Sequence, residues 1–304
     1  MLRSILLALS KSPRAARFVI HNGLSRRVVR RFVAGETLDD AVAAVRAINQ
    51  AGCPASFDYL GESVSTEAEA LRAADAYRSI LDRIAAERLD ANASLKLTQL
   101  GFDVNPTLCE SLVADIVTHA ERLNNFVRID MEGSAYTQRT IDLCKRVHAK
   151  HASVGTVVQS YLYRTEQDAK ELIAAGVRMR LVKGAYKELP AIAYPKKSDV
   201  DANYVRVMKL LLSSRQYHAI ATHDPDMQEA TKHFALEHEI ARDKFEFQML
   251  YGIRTDLQAQ LIREGYRLRV YVPYGSDWFP YFMRRLAERP ANLKFFVSNL
   301  FRLS

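Results

Sequence analysis

Residues 169–186 read Ala-Lys-Glu-Leu-Ile-Ala-Ala-Gly-Val-Arg-Met-Arg-Leu-Val-Lys-Gly-Ala-Tyr. The opening residues suit a helix, and Gly176 supplies the left-handed residue on which helices commonly stop. Residues 177–182 then form a short run in which valine, methionine and leucine surround Arg180, as in a strand. Polar and small residues, Lys183 to Ala185, follow at once. Helix, glycine stop, strand and polar carboxyl end together form one repeat of a parallel α/β sheet.

The same unit recurs on both sides. The pattern predicts eight strands, at 54–60, 94–97, 126–130, 154–159, 177–182, 218–222, 245–249 and 268–272, separated by segments of helical period. Thr66 and Glu69 form a capping box, after which Ala70, Ala73, Tyr77, Ile80, Leu81 and Ile84 recur at helical spacing. Asn105-Pro106 and Asp224-Pro225 each set a capping side chain before a proline at the first helical position. Gly265 closes the helix before the eighth strand as Gly176 does before the fifth. Eight such repeats predict an α/β fold, a (β/α)8 TIM-type barrel. A doubly wound nucleotide-binding sheet would carry a Gly-x-Gly-x-x-Gly turn, and none of the 12 glycines stands in a Gly-x-Gly pair.

A chain of 304 residues with 48% hydrophobic and 26% charged residues can bury one large core. No linker or repeat divides it, so one domain is expected over 1–304, with an N-terminal helical segment at 1–50 and the barrel at 54–304. Cys53, Cys109 and Cys144 lack disulfide or zinc spacing and fit a reducing cytoplasm. The net charge of +8 allows nucleic acid, a membrane surface or anionic ligands as partners. Part of it is concentrated at 1–31, where Arg3, Arg14, Arg17, Arg26, Arg27, Arg30 and Arg31 alternate with apolar residues. Those residues suit helices packed on the barrel, or a basic amphipathic contact with a membrane surface. No apolar run approaches the length of a membrane span.

Catalytic groups of such a barrel stand at the carboxyl ends of its strands. There the sequence places Lys96, Asp130, Gln159, Arg180 with Lys183, His223 with Asp224, Gln248 and Tyr271. A buried arginine needs an anion, and for Arg180 that anion is either Asp130 or a ligand. Near the C-terminus, a helix beginning close to Asp277 sets Tyr281, Arg284, Arg285 and Glu288 within one or two turns of each other. Paired arginines can fork onto a carboxylate and the glutamate can receive an ammonium, which suits an amino acid. Lys183 could alternatively be a Schiff-base lysine. His148 with His151, and His233 with His238, lack a third ligand, so no metal is expected.

Taken in order, Phe-Asp-Tyr-Leu-Gly-Glu at 57–62, Leu-Lys-Leu-Thr-Gln-Leu-Gly at 95–101 and Ile-Asp-Met-Glu-Gly-Ser at 129–134 resemble the proline dehydrogenases. So do Leu-Val-Lys-Gly-Ala-Tyr at 181–186, Ala-Thr-His-Asp at 221–224, Phe-Glu-Phe-Gln-Met-Leu at 245–250, and Tyr-x-Pro at 271–273 with Arg-Arg-Leu-x-Glu at 284–288. The length resembles the short bacterial form, with no aldehyde dehydrogenase region following. The resemblance implies a distorted barrel whose last helix lies over the strand ends. It also implies FAD bound without a Rossmann turn, and oxidation of L-proline to Δ1-pyrroline-5-carboxylate by hydride transfer from C5 to flavin N5.

By the same resemblance, Met131, Gln159, Arg180, Lys183, Gly184, Ala185, Thr222, His223 and Gln248 contact the cofactor. Lys96, Arg284 and Arg285 hold the substrate carboxylate, and Glu288 lies near its amine. Tyr186, Leu250, Tyr271 and Tyr281 wall the ring, while Asp130 is the active-site acid, with Arg180 the second catalytic residue. Tyr271, where hydroxyproline-specific relatives carry a smaller residue, favours proline. A membrane quinone is the implied electron acceptor, with peripheral contact at the inner membrane surface. A pyrroline-5-carboxylate dehydrogenase is the implied partner, and nucleic acid is not expected.

Overall fold

The computed structural model describes residues 29–61 and 63–288, and of 284–288 the backbone only. Most of the basic stretch 1–31 therefore lies outside the described residues. A first helix, α1 (Leu38–Gln50), precedes eight repeats: β1 (Ala55–Tyr59) and α2 (Glu67–Ala86), β2 (Ala91–Leu95) and α3 (Pro106–Arg122), β3 (Val127–Ile129) and α4 (Ser134–His148), and β4 (Val154–Gln159) and α5 (Thr165–Ala174). The second half follows with β5 (Arg178–Val182) and α6 (Lys197–Ser213), β6 (His218–Ala221) and α7 (Pro225–Glu237), β7 (Phe245–Leu250) and α8 (Thr255–Arg263), and β8 (Leu268–Tyr274) and α9 (Trp278–Glu288). Each strand pairs in parallel with the next, and β8 closes on β1 with Ala55 opposite Val270 and Phe57 opposite Val272. The expected (β/α)8 barrel is therefore the fold.

Local chemistry sets the helix ends. Thr66 and Glu69 make their reciprocal capping box, and Asn105 and Asp224 cap α3 and α7 ahead of Pro106 and Pro225. Gly176 and Gly265 both adopt φ +77, and their N–H groups donate to Ile173 and Ile262 carbonyls at 2.9 Å. The main correction to the strand expectations is β2, which runs over Ala91–Leu95 rather than 94–97. Its opening Ala-Asn-Ala has low strand propensity and holds its place by ladder pairing with β1, joined by β3 from Ala93 onward, a tertiary effect. Lys96 consequently stands just beyond the strand. The eighth strand also extends further than expected, to Tyr274.

Alternation along the strands separates two cores. Phe57, Leu95, Ile129, Leu181, Ile220, Phe247 and Val272 are buried in the apolar layer shared with the helices, each worth roughly 1.5–3 kcal/mol of burial. The intervening positions point inward and are largely polar. Arg180 of β5 reaches Ser94 and Asp130 on the far side of the barrel, which only inward-facing side chains can do. Below them Glu246 pairs with Arg269 at 2.9 Å, and Ser56 bonds Asn92 at 2.6 Å. Ahead of α1, residues 29–36 seat the last helix: Trp278 Nε1 donates to Glu36, and Phe32 packs on Phe282.

Candidate active site

Every described residue that the sequence reading selected lines one cavity of about 460 Å³ at the carboxyl mouth of the barrel. Alternation puts Ser94 and Arg180 inside their strands, and the loops that follow β2 and β3 begin with Lys96 and Asp130. The Arg180 guanidinium donates to Asp130 Oδ1 at 2.6 Å and to Gln248 Oε1 at 2.5 Å. Asp130 also accepts from Ser94 Oγ at 2.7 Å and from the Tyr271 hydroxyl at 2.6 Å. The Tyr271 ring faces Arg180 at 5.1 Å.

Lys96 lies between two carboxylates, 2.8 Å from Asp58 Oδ1 and 3.9 Å from Asp130 Oδ2. Their surroundings separate them. Burial pushes Asp58 above the usual carboxylate range, and Lys96 only partly offsets it. Burial resists ionisation of Asp130 too, but Arg180, then Lys96, outweigh it and hold that carboxyl low. Burial, reinforced by Asp130 and Asp58, raises the Tyr271 phenol well above its ordinary value and keeps it a proton donor. The mouth therefore offers one fixed carboxylate, two cations and a phenol.

Opposite this cluster the rim is built from loops. Lys183 Nζ donates to Asp224 Oδ2 at 2.6 Å and also to Asp201, and Lys197 bonds the same two carboxylates. A nucleophilic lysine is activated by desolvation or a neighbouring cation; this one is held between two anions, which disfavours the Schiff-base alternative. Gln159 donates to the Glu132 carbonyl at 2.8 Å, and Thr222 Oγ1 accepts from Asp224 N–H at 3.1 Å. His223 Nε2 accepts from Leu250 N–H at 2.9 Å, tying the ends of β6 and β7. Met131, Gly184, Ala185, Tyr186, Leu250 and Tyr281 complete the walls.

The side chains of Arg284, Arg285 and Glu288 lie outside the described residues, although the α9 backbone that carries them is described. His148 and His151 face away from each other's chemistry, toward the Val154 carbonyl and Glu121. Two acids were missed by the sequence reading. Asp58 stands near the end of the first strand with the same alternation, after Ser56, that Lys96 shows after Ser94; that periodicity was the available signal. Glu246 stands two residues before Gln248 and accepts from its Nε2 at 2.6 Å, which fixes the amide so that its oxygen meets Arg180.

The sequence profile of the proline dehydrogenase family matches residues 41–298. The chain is 43% identical to "Proline dehydrogenase 1" of Bacillus subtilis subsp. natto, over 99% of its own length and 100% of that protein. It is 40% identical to "Proline dehydrogenase" of Deinococcus radiodurans, over 90% and 89% of the two chains. Among solved structures, proline utilization A of Bdellovibrio bacteriovorus, inactivated by N-propargylglycine, superposes with a TM-score of 0.82 at 25% identity. That match covers 87% of this chain and 33% of the other.

Proposed function

This chain belongs to the proline dehydrogenase family and has its activity, the first step of proline catabolism. From that premise we propose that it is a flavoenzyme that uses FAD to oxidise L-proline to Δ1-pyrroline-5-carboxylate and passes the electrons to a quinone. The observation that carries this reading is the inward line Tyr271–Asp130–Arg180 beside Lys96, in one cavity that Met131, Leu250 and Tyr281 also line.

The residues present fit a flavin. The cavity is lined by Met131, Gly184 and Ala185, and it holds donors that suit an acceptor-laden heterocycle, namely Arg180, Gln159 and Lys183. We assign those residues, with Thr222, His223 and Gln248, to holding it. When bound, FAD would supply the two-electron acceptor for the hydride that leaves proline C5.

The protein's own groups prepare that event. Lys96 holds the substrate carboxylate, and we assign Arg284 and Arg285, one turn beyond Tyr281 on α9, to the same task. Glu288 receives the substrate amine. Tyr186, Leu250, Tyr271 and Tyr281 pack the ring and exclude water, so that orientation supplies much of the rate. Arg180 places a fixed positive charge where negative charge accumulates, and Asp130 keeps the guanidinium aimed there.

We read the chain as one barrel domain with an N-terminal segment, and we assign the arginine-rich residues 1–31 to peripheral contact with the membrane that holds the quinone. Among the described residues no helix is long and apolar enough to cross a membrane. A pyrroline-5-carboxylate dehydrogenase then consumes the product. Deleting residues 1–31 without loss from the membrane fraction would remove the membrane assignment.

The deciding experiment is spectroscopic. Purified protein should show a flavin spectrum that bleaches when proline is added without oxygen or other acceptor. Colourless protein that stays inert after FAD is supplied would overturn the reading.

A further inference from the structure

The connection from β5 to α6, residues 183–196, carries part of the cavity wall and is the longest strand-to-helix connection among the described residues. Its neck closes on a single residue. Tyr161, in the loop after β4, donates its N–H to the Lys183 carbonyl at 2.9 Å and accepts Tyr194 N–H at 2.8 Å, so both ends of the excursion rest on one backbone unit. This is the geometry of an Ω-loop. An antiparallel bridge between Leu162 and Ala193 reinforces the neck.

The middle of the loop is pinned elsewhere. One oxygen of Glu188 accepts Ser134 N–H at 2.7 Å, and the other accepts Ser134 Oγ at 2.5 Å, at the start of α4. The Tyr161 hydroxyl donates to Glu188 Oε1 at 3.3 Å. The same Tyr161 ring lies beneath Gly184, where φ is +114 and a Cβ would come within 2.3 Å of Cδ1. Gly184, Ala185 and Tyr186 thus span two fixed points, the Tyr161 neck and the Glu188 latch. One carboxylate joins the loops after β3, β4 and β5, and the β3 loop carries Asp130 and Met131.

We propose that Glu188 is a positioning residue: its latch on Ser134 holds the wall formed by Gly184, Ala185 and Tyr186 in the conformation that retains the flavin. The inference rests on the flavin reading above. Glu188 is absent from the cavity lining, so it acts through the loop.

The test compares Glu188→Ala with Glu188→Gln in the holoenzyme. Glutamine keeps an acceptor for Ser134 N–H and can donate to Ser134 Oγ, so it should preserve the latch. Two quantities are read: amide hydrogen exchange across 184–192, and the flavin fluorescence released on dilution. The alanine variant should exchange faster in that segment. If the latched conformer falls to one-tenth of its population, apparent flavin affinity weakens about tenfold, while the glutamine variant stays near wild type. Unchanged exchange in the alanine variant overturns the latch; faster exchange with unchanged flavin release overturns its role in retention. If Glu188→Ala does not fold, Ser134→Ala removes the hydroxyl bond alone and is read in the same two ways. Protein that carries no flavin at all would sink the functional reading, while exchange would still decide the latch.

Discussion

Arg180 and Asp130 meet 2.6 Å apart inside the barrel, with the guanidinium side chain only 6% exposed. A buried charge is tolerable when its partner is in place, and removing one partner is far worse than never having had the pair. Asp130→Ala leaves Arg180 without its nearest carboxylate and takes Lys96's second anion away. The expected loss of stability is about 3–5 kcal/mol, read as a lower urea midpoint. The kcat/KM should fall about 100-fold or more as the guanidinium loses its aim. Asp130→Ala protein with a wild-type midpoint would mean that Arg180 is neutralised by some other group.

Tyr271→Phe separates the wall from the hydrogen bond. The ring that faces Arg180 stays, and only the hydroxyl that donates to Asp130 at 2.6 Å is lost. A hydrogen bond to a charged group is worth about 1.5–3 kcal/mol, so kcat should fall about tenfold or more. Asp130 should take up a proton more readily, which moves upward the low-pH loss of activity that follows Asp130, below the range where the proline amine titrates. If that loss stays in place, Tyr271 does not help to keep Asp130 ionised.

How far the sequence spoke depends on whether a property was local. Glycine stops at 176 and 265, the Thr66–Glu69 box and the Asn-Pro and Asp-Pro caps depend on neighbouring residues, and those helix ends stand where expected. β2 was misplaced because its start, Ala91-Asn92-Ala93, is strand only through its partners. The polar strand-end groups were legible from alternation, and they do converge on one cavity. Their pairing was not: Arg180 had two possible anions until the barrel closed and brought Asp130 from β3 to β5. Asp58 escaped because its meaning is Lys96, 38 residues away, and the Glu188 latch spans 54 residues for the same reason.

The barrel floor sets how acid the protein can tolerate. His218 Nδ1 accepts Met179 N–H at 3.0 Å, and burial, then Arg128 and Arg178, hold its pKa down to about 3. In the unfolded chain the imidazole returns to about 6.5. Because the folded value is the lower one, this stability is complete above about pH 6.5 and drains as pH falls toward 3, by about 1.4 kcal/mol per pH unit. Glu246 adds a second, lower window. Burial opposes its charge, but Arg269 prevails and holds it at about 2, so its contribution is lost from about pH 4.5 downward. Urea midpoints should therefore drop from pH 6.5 toward 4, and His218→Asn should flatten the upper part only. Parallel curves for the two proteins would rule out His218 as the source.

Activity should rise with pH over a range well above the one a simple carboxylate base would give. Proline arrives at neutral pH chiefly as an ammonium, and under the proposed hydride transfer its nitrogen lone pair must be free to form the C=N bond. Asp130 cannot be the group that limits this, since Arg180 and Lys96 keep it ionised well below neutrality. Tyr271 stays protonated throughout the working range, because burial and two carboxylates hold its phenol high. The substrate amine is the group assigned to the range above pH 6, so kcat/KM should climb steadily from about pH 6 to about pH 9. Binding of a ring analogue with oxygen in place of the amine should show no such climb, since it has no proton to lose. A flat proline profile across that range, or an oxygen analogue that follows the same slope, would place the titrating group on the protein instead.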